Sequence, residues 1–433
     1  MRRSRPTVLL AGLAAAATIT GLATPGDAAG RPGPRWDKPV LVSSTQAARE
    51  TSFAMDPQNT RRQFICDPSG VPNTDHGQSY FHRSRDGGRN WQGVNVETAA
   101  TDTRKATFEG GDCDVAYDAG GTMYSADTWL GNLSVGHSTD HGETWGGTSI
   151  AVSSPIVDRP WLVGGPKGTV YLSYQDLQCC VPSALWFAVS HDYGQTFSRS
   201  VLVTKGQADG LYTWEGNFVV GRGGTDIWLV YSRRSSGVVA TGASAPETIW
   251  VTQSHDGGAT WQPHLVATIP QETTSIYPSI GLDAGGDLHV VWCAPATRGK
   301  GTPVSYAAST DHGLSWSSPV SLNPGKVGWA PWVVGGAAGQ AAVAWLGSNE
   351  AAATASTNSD WYFSWAKVSL HPHGRPTVRT GNTTSDPVWS GKQTVPEFEM
   401  LRLDAKGKMH LGMSVFRRDK GVTSWAVYSQ NER

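Results

Sequence analysis

The sequence predicts an all-β chain assembled as an array of similar units, and three observations carry that prediction. An eight-residue phrase recurs five times, as SRDGGRNW from Ser84, STDHGETW from Ser138, SHDYGQTF from Ser190, SHDGGATW from Ser254 and STDHGLSW from Ser309. Its aspartates, Asp86, Asp140, Asp192, Asp256 and Asp311, are 52 to 64 residues apart, which is the signature of a repeat architecture. Short apolar strands recur at a similar spacing, and no long stretch has helical periodicity.

The strands set the count. They read SFAMD from Ser52, DVAYD from Asp114, WLVGG from Trp161, FVVGR from Phe218, SIGLD from Ser279, WVVGG from Trp332 and MLRLD from Met400, which makes seven units. Each leads through a turn containing Gly or Pro into a second apolar strand, such as GTVYLSYQD from Gly168 or DLHVVWC from Asp287. In the sixth unit, Ser356 to Phe363 reads as an eroded copy of the phrase, with Asn358 in place of Asp. The seventh unit has no copy.

The phrase has a mechanical reading. Asp folds its carboxylate onto nearby backbone N–H groups, Gly permits positive φ, and the terminal aromatic packs the turn onto the sheet beneath. This pattern is the Asp-box, or bacterial neuraminidase repeat, and through it the chain resembles the sialidase-like β-propeller superfamily. The resemblance implies a β-propeller with the boxes on its outer rim, remote from the functional site. Seven units then mean seven blades, with six as the alternative because sialidases proper have six. The seventh unit ends after SWAVYSQ from Ser424, one strand short of four. The segment Pro39-Val40-Leu41-Val42 supplies the missing strand and closes the ring, removing exposed sheet edges.

Composition frames the function. Arg2, Arg3 and Arg5 precede an apolar run from Thr7 to about Ala23 and a small-residue stretch, so residues 1–29 read as a secretory signal peptide and 30–433 as one propeller domain. The mature protein is expected to be secreted and to act as a monomer. No later stretch is long and apolar enough to span a bilayer, and 35 basic against 36 acidic residues give no reason to expect nucleic acid or an anionic membrane as partner. The 19 Trp residues suit both blade packing and stacking on flat ligand faces. Of five cysteines, Cys66 and Cys113 lie near the inner edges of adjacent units and are expected to pair. Cys179 and Cys180 form a vicinal bridge, or one of them pairs with Cys293. No CxxC or His-rich spacing supports zinc. A Ca²⁺ ion held by clustered Asp and carbonyl groups is compatible with the composition, but no loop has EF-hand spacing, so no cofactor or metal ligand is assigned.

In a propeller the inner strands start at one face of the central channel, so residues just before the seven aligned strands should converge there. Those residues are Arg49 and Glu50, Asp112, Asp158 and Arg159, Trp214 and Glu215, Tyr277, Trp329, and Glu397 and Glu399, with Trp332 close by. Aromatic faces stack on a pyranose ring, carboxylates and guanidinium groups bind hydroxyls, and a pair of carboxylates performs glycosidic hydrolysis. The expected catalytic set is Asp112, Asp158, Glu215, Glu397 and Tyr277, and the expected substrate-binding set is Arg49, Glu50, Arg159, Trp214, Trp329 and Trp332.

The resemblance implies three arginines gripping a substrate carboxylate, a Tyr nucleophile assisted by Glu, and an Asp acid/base. Here no Arg-Ile-Pro segment occurs in blade 1, and Arg233 and Arg234 follow a second strand and would reach the rim only by a loop. The leading expectation is therefore a secreted glycoside hydrolase acting on a glycan or polysaccharide. A lyase acting on uronic-acid polymers and a non-catalytic glycan-binding or protein-binding propeller are the alternatives.

Overall fold

The computed structural model describes residues 33–45, 50–68, 79–94, 112–129, 132–151, 157–176, 184–204, 211–235, 246–273, 277–295, 301–372, 375–419 and 422–433. All regular structure in them is β, arranged as seven antiparallel sheets. The inner strands of blades 1 to 7 are Ser52–Met55, Cys113–Tyr117, Val157–Gly164, Tyr212–Val220, Ser279–Leu282, Val327–Gly335 and Met400–Leu403. Each coincides with one of the seven strands read from the sequence. Blades 1 to 5 have four strands in chain order, and blade 6 adds a short strand, Trp389–Gly391, against its third strand. Blade 7 takes its outer strand from the other end of the chain: Val40–Thr45 pairs antiparallel with Val422–Asn431, from Val40 opposite Ser429 to Thr45 opposite Trp425. The ring is thereby closed at its weakest joint.

Neighbouring blades are joined in three ways. Aspartates that end inner strands bond both their own turn and the next blade, so Asp118 accepts the Gly168 N–H at 2.7 Å and Asp283 accepts the Gly339 N–H at 2.6 Å. Where the strand ends in Gly instead, the sheets touch backbone to backbone: a Cβ on Gly164 would lie 2.0 Å from the Tyr117 carbonyl oxygen. A disulfide joins Cys66 in blade 1 to Cys113 in blade 2. The thiol of Cys293 donates to the Gly328 carbonyl at 3.4 Å, while Cys179 and Cys180 lie outside the described residues.

The repeated phrase forms the same clasp five times. The serine that ends each third strand donates to the Asp carboxylate at 2.7 to 2.9 Å and accepts the phrase's Gly N–H at 2.7 to 2.9 Å. The Asp in turn accepts the backbone N–H four residues on at 2.9 to 3.0 Å. The terminal aromatic reaches further than its own sheet: Trp145 packs on Phe64 of blade 1, and Trp261 on Phe187 of blade 3. The eroded copy expected at Ser356 to Phe363 is not a clasp. That segment enters the third strand of blade 6, Ser359–Ser369, where Trp361 and Phe363 are fully buried. The serine that ends this strand is Ser369.

Candidate active site at the entry face of the propeller

Three inner strands carry a bulge where they enter the channel. The register slips between Asp158 and Trp161 in blade 3, Glu215 and Phe218 in blade 4, and Trp329 and Trp332 in blade 6. In blades 3 and 6 a proline follows the bulged residue, which suits a position with no ladder bond to donate. The bulged residues themselves, Arg159 and Ala330, have φ of 52° and 49°. Left-handed backbone at a non-glycine residue is strained and clusters at functional sites.

Arg159 is the centre of that site. Its guanidinium lies 2.6 Å from Glu397, 3.7 Å from Asp112 and 3.9 Å from Glu50, and sits 4.0 Å over the Tyr277 ring and 5.1 Å over Phe398. Blades 1, 2, 3, 5 and 7 therefore contribute to one cluster. Arg159, Glu50 and Tyr277 are buried, whereas Asp112, Asp158 and Glu397 are partly exposed.

The carboxyl groups divide by protonation. Burial, reinforced by the charge of Asp112, pushes Asp158 well above the usual carboxylate range, and Glu50 is raised by burial and by Asp112 and Glu397. Burial would raise Asp112 too, but the Arg159 charge and hydrogen bonds from Glu50 and Asp158 overcome it and hold Asp112 low. The site thus sets carboxyls pushed upward against one held low. Glu215 is fully buried, and burial raises it strongly, opposed weakly by the Ser173 hydroxyl. Burial also raises the Tyr277 phenol, with Arg159 opposing.

The remaining expected residues are placed as follows. Trp214 is partly exposed, with its ring edge against Tyr277 at 6.1 Å. Trp329 is buried and stacked on Trp361 at 4.4 Å, and Trp332 is buried against Trp161 at 5.4 Å, so both are packed among protein side chains. Glu399 is buried and accepts the Ser414 N–H and hydroxyl. Arg49 lies outside the described residues. Arg233 and Arg234 do not reach the rim: both are buried, and Arg234 pairs with Glu272 at 2.9 Å and Glu247 at 3.8 Å. Among the described residues no three His, Cys, Asp or Glu side chains are arranged to hold a metal ion.

Two contributors escaped the sequence reading. Phe398, between Glu397 and Glu399, forms part of the floor under Arg159, and Trp161 packs on it at 4.8 Å. Trp161 of blade 3 also meets Trp332 of blade 6, nearly opposite it in the ring. These aromatic contacts reach across the channel next to the Arg159 cluster.

The architecture is a seven-bladed β-propeller. Neither a protein-family model nor a curated protein matches the sequence. Solved structures do share its fold. A protein of unknown function from Dyadobacter fermentans superposes with a TM-score of 0.52 at 12% identity, over 93% of this chain and 100% of that one. The polysaccharide lyase Uly1 gives 0.50 at 10% identity, over 86% and 88%. An α-L-arabinofuranosidase of Fusarium graminearum, solved with arabinobiose, gives 0.48 at 14% identity, over 72% and 92%. At these identities the likeness is one of fold alone.

Proposed function

We propose that this protein is a secreted carbohydrate-active enzyme, a glycoside hydrolase working at the entry face around Arg159. The observation that supports it is the opposite displacement of two neighbouring, partly exposed carboxyl groups, Asp158 upward and Asp112 downward. Glycosidic hydrolysis needs one carboxylic acid to protonate the leaving oxygen and one carboxylate to act as base or nucleophile, and enzymes obtain both by giving two carboxyls different environments. Asp158 is the proton donor, kept protonated by burial and by its hydrogen-bonded neighbour Asp112, and Glu397 is the carboxyl placed to act as base or nucleophile. Trp214, at the open side, offers a face for a sugar ring. The basic and apolar segment at residues 2–23 supports export.

A sialic acid substrate fits this site less well than a neutral sugar, because Arg159 is already engaged by carboxylates. Elimination is also disfavoured. It would require Tyr277 as base, and burial pushes that phenol away from ionisation. The test is incubation of the mature protein with a panel of neutral glycans and polysaccharides, with product analysis. Turnover is expected, and Asp158→Asn and Asp112→Asn should each reduce kcat by about 10²–10⁴-fold in protein shown to be folded. Unimpaired turnover in both variants would sink the assignment. Unsaturated products absorbing in the ultraviolet would indicate a lyase, and tight binding without turnover a lectin.

A further inference from the structure

Past the contacts of Trp161, Trp332 and Phe398 the channel opens into a second chamber of ≈ 320 Å³, lined by the inner strands of all seven blades. Its walls mix Val, Leu, Ile and Ala side chains with strand backbone and the polar side chains of Asp114, Tyr117, Asn217 and Arg402. Most of its polar side chains are already committed. Asn217 is spent at both ends on Ile280, at 2.9 and 2.8 Å. Asp114 accepts the Ser52 hydroxyl and the Leu162 N–H.

Arg402 is different. Its Nη1 donates to the adjacent Leu401 carbonyl at 2.9 Å, its Nη2 faces only the Met400 thioether at 3.7 Å, and it makes no ion pair among the described residues. A thioether is a weak acceptor. The guanidinium lies 5.9 Å over the Trp332 ring, at the roof of the chamber. A second donor lines the same space: the buried indole N–H of Trp161 has no partner among the described residues. An under-compensated cation and an orphaned N–H in the same cavity both call for an acceptor carrying negative charge. Burial lowers the Arg402 guanidinium, and Asp114 only partly opposes this.

We propose that this lower chamber is a binding site for one small monovalent anion, a halide or a carboxylate of acetate size, held by Arg402. One guanidinium, already partly balanced by Asp114 on the same lining, matches no more than one added negative charge. The site stands apart from the catalytic proposal, because none of the Arg159-cluster residues lines this chamber.

Crystals soaked in sodium bromide or sodium acetate provide the direct test, with bromide located by anomalous scattering. Density is expected within hydrogen-bonding reach of Arg402, from bromide for a halide site or from acetate alone for a carboxylate site. In solution, the wild-type melting temperature should rise by roughly 1–2 °C for each tenfold increase of the anion above its Kd, measured against sodium sulfate at equal ionic strength. Arg402→Met should abolish that slope. Should the Met variant fail to fold, Arg402→Lys should retain a weakened slope, and the crystal result stands without either. No density from either anion, or equal slopes in wild type and Arg402→Met, would overturn the proposal.

Discussion

At Arg159 a non-glycine residue is held at φ 52° beside Pro160, a conformation that costs about 1–2 kcal/mol. The ion pairs with Glu397, Asp112 and Glu50 offset that strain, so backbone and charge depend on each other. Arg159→Met would leave Asp112, beside buried Glu50, without its counter-charge. A loss of about 3–5 kcal/mol in denaturant unfolding is expected, because stripping one partner from a buried cluster is far more damaging than replacing the whole cluster. The converging residues were legible in the sequence because the inner strands were, and each strand entry points at the same axis. Which way the tryptophans face was not. Trp329 and Trp332 flank the bulge at Ala330-Pro331, and one inserted residue moves a side chain to the opposite face of a strand. Phe398 was hidden for the same kind of reason: two glutamates drew attention to its neighbours, while the ring between them carries the guanidinium.

The clasp explains its own sequence. The residue before its glycine sits at positive φ in every copy, as Gly87, His141, Tyr193, Gly257 and His312, and the glycine itself does too. Ser254 bonds both Asp256 and the Gly258 N–H from a buried position, so Ser254→Ala should lower stability by about 1–2 kcal/mol, read from chemical denaturation. The carboxylates of Asp192 and Asp256 are held at about 2, chiefly by the Thr196 and Thr260 hydroxyls and N–H groups. A group depressed in the folded state stabilises above its unfolded value of about 4 and loses that effect as pH falls toward 2. The melting temperature should therefore decline below about pH 4, and Asp256→Asn should shrink that decline. The misplaced copy in blade 6 shows where pattern matching fails. Ser356 to Phe363 has the right residue types, but its aromatics face the core of a strand, and an aromatic at a turn and one in a sheet look alike without the partner strands.

For the whole ring, the seam between blades 1 and 2 is the covalent one. The Cys66–Cys113 bond spans 47 residues and ties blade 1 to blade 2, and loop-closure entropy gives about 4 kcal/mol for such a span. The double variant Cys66→Ala, Cys113→Ala should lose about that much in reversible denaturation, and a negligible loss would show that the outer contacts already fix this seam. Buried acids across the ring set a pH trend opposite to that of the clasps. Burial lifts Asp67 to about 8, Asp127 and Glu247 to about 7 and Asp114 to about 6. A carboxyl raised on folding stabilises at low pH and loses that effect as pH climbs through its folded value. Melting temperatures should consequently peak on the acid side of neutrality and fall between about pH 5 and 8, and Asp67→Asn should flatten the fall. The seven units and the closing strand were legible because each strand alternates or ends in a recognisable turn. The seams were only partly so, since they depend on contacts between distant residues.

The aromatic contacts of Trp161, Trp332 and Phe398 lie across the propeller axis and narrow it. For the hydrolase proposed above, a polymer would then be cut at the entry face rather than reeled through the hub. Entry and exit would share one mouth, so each cycle would release at least one fragment back the way it came, and successive cuts on one chain would require it to let go or slide sideways across the face.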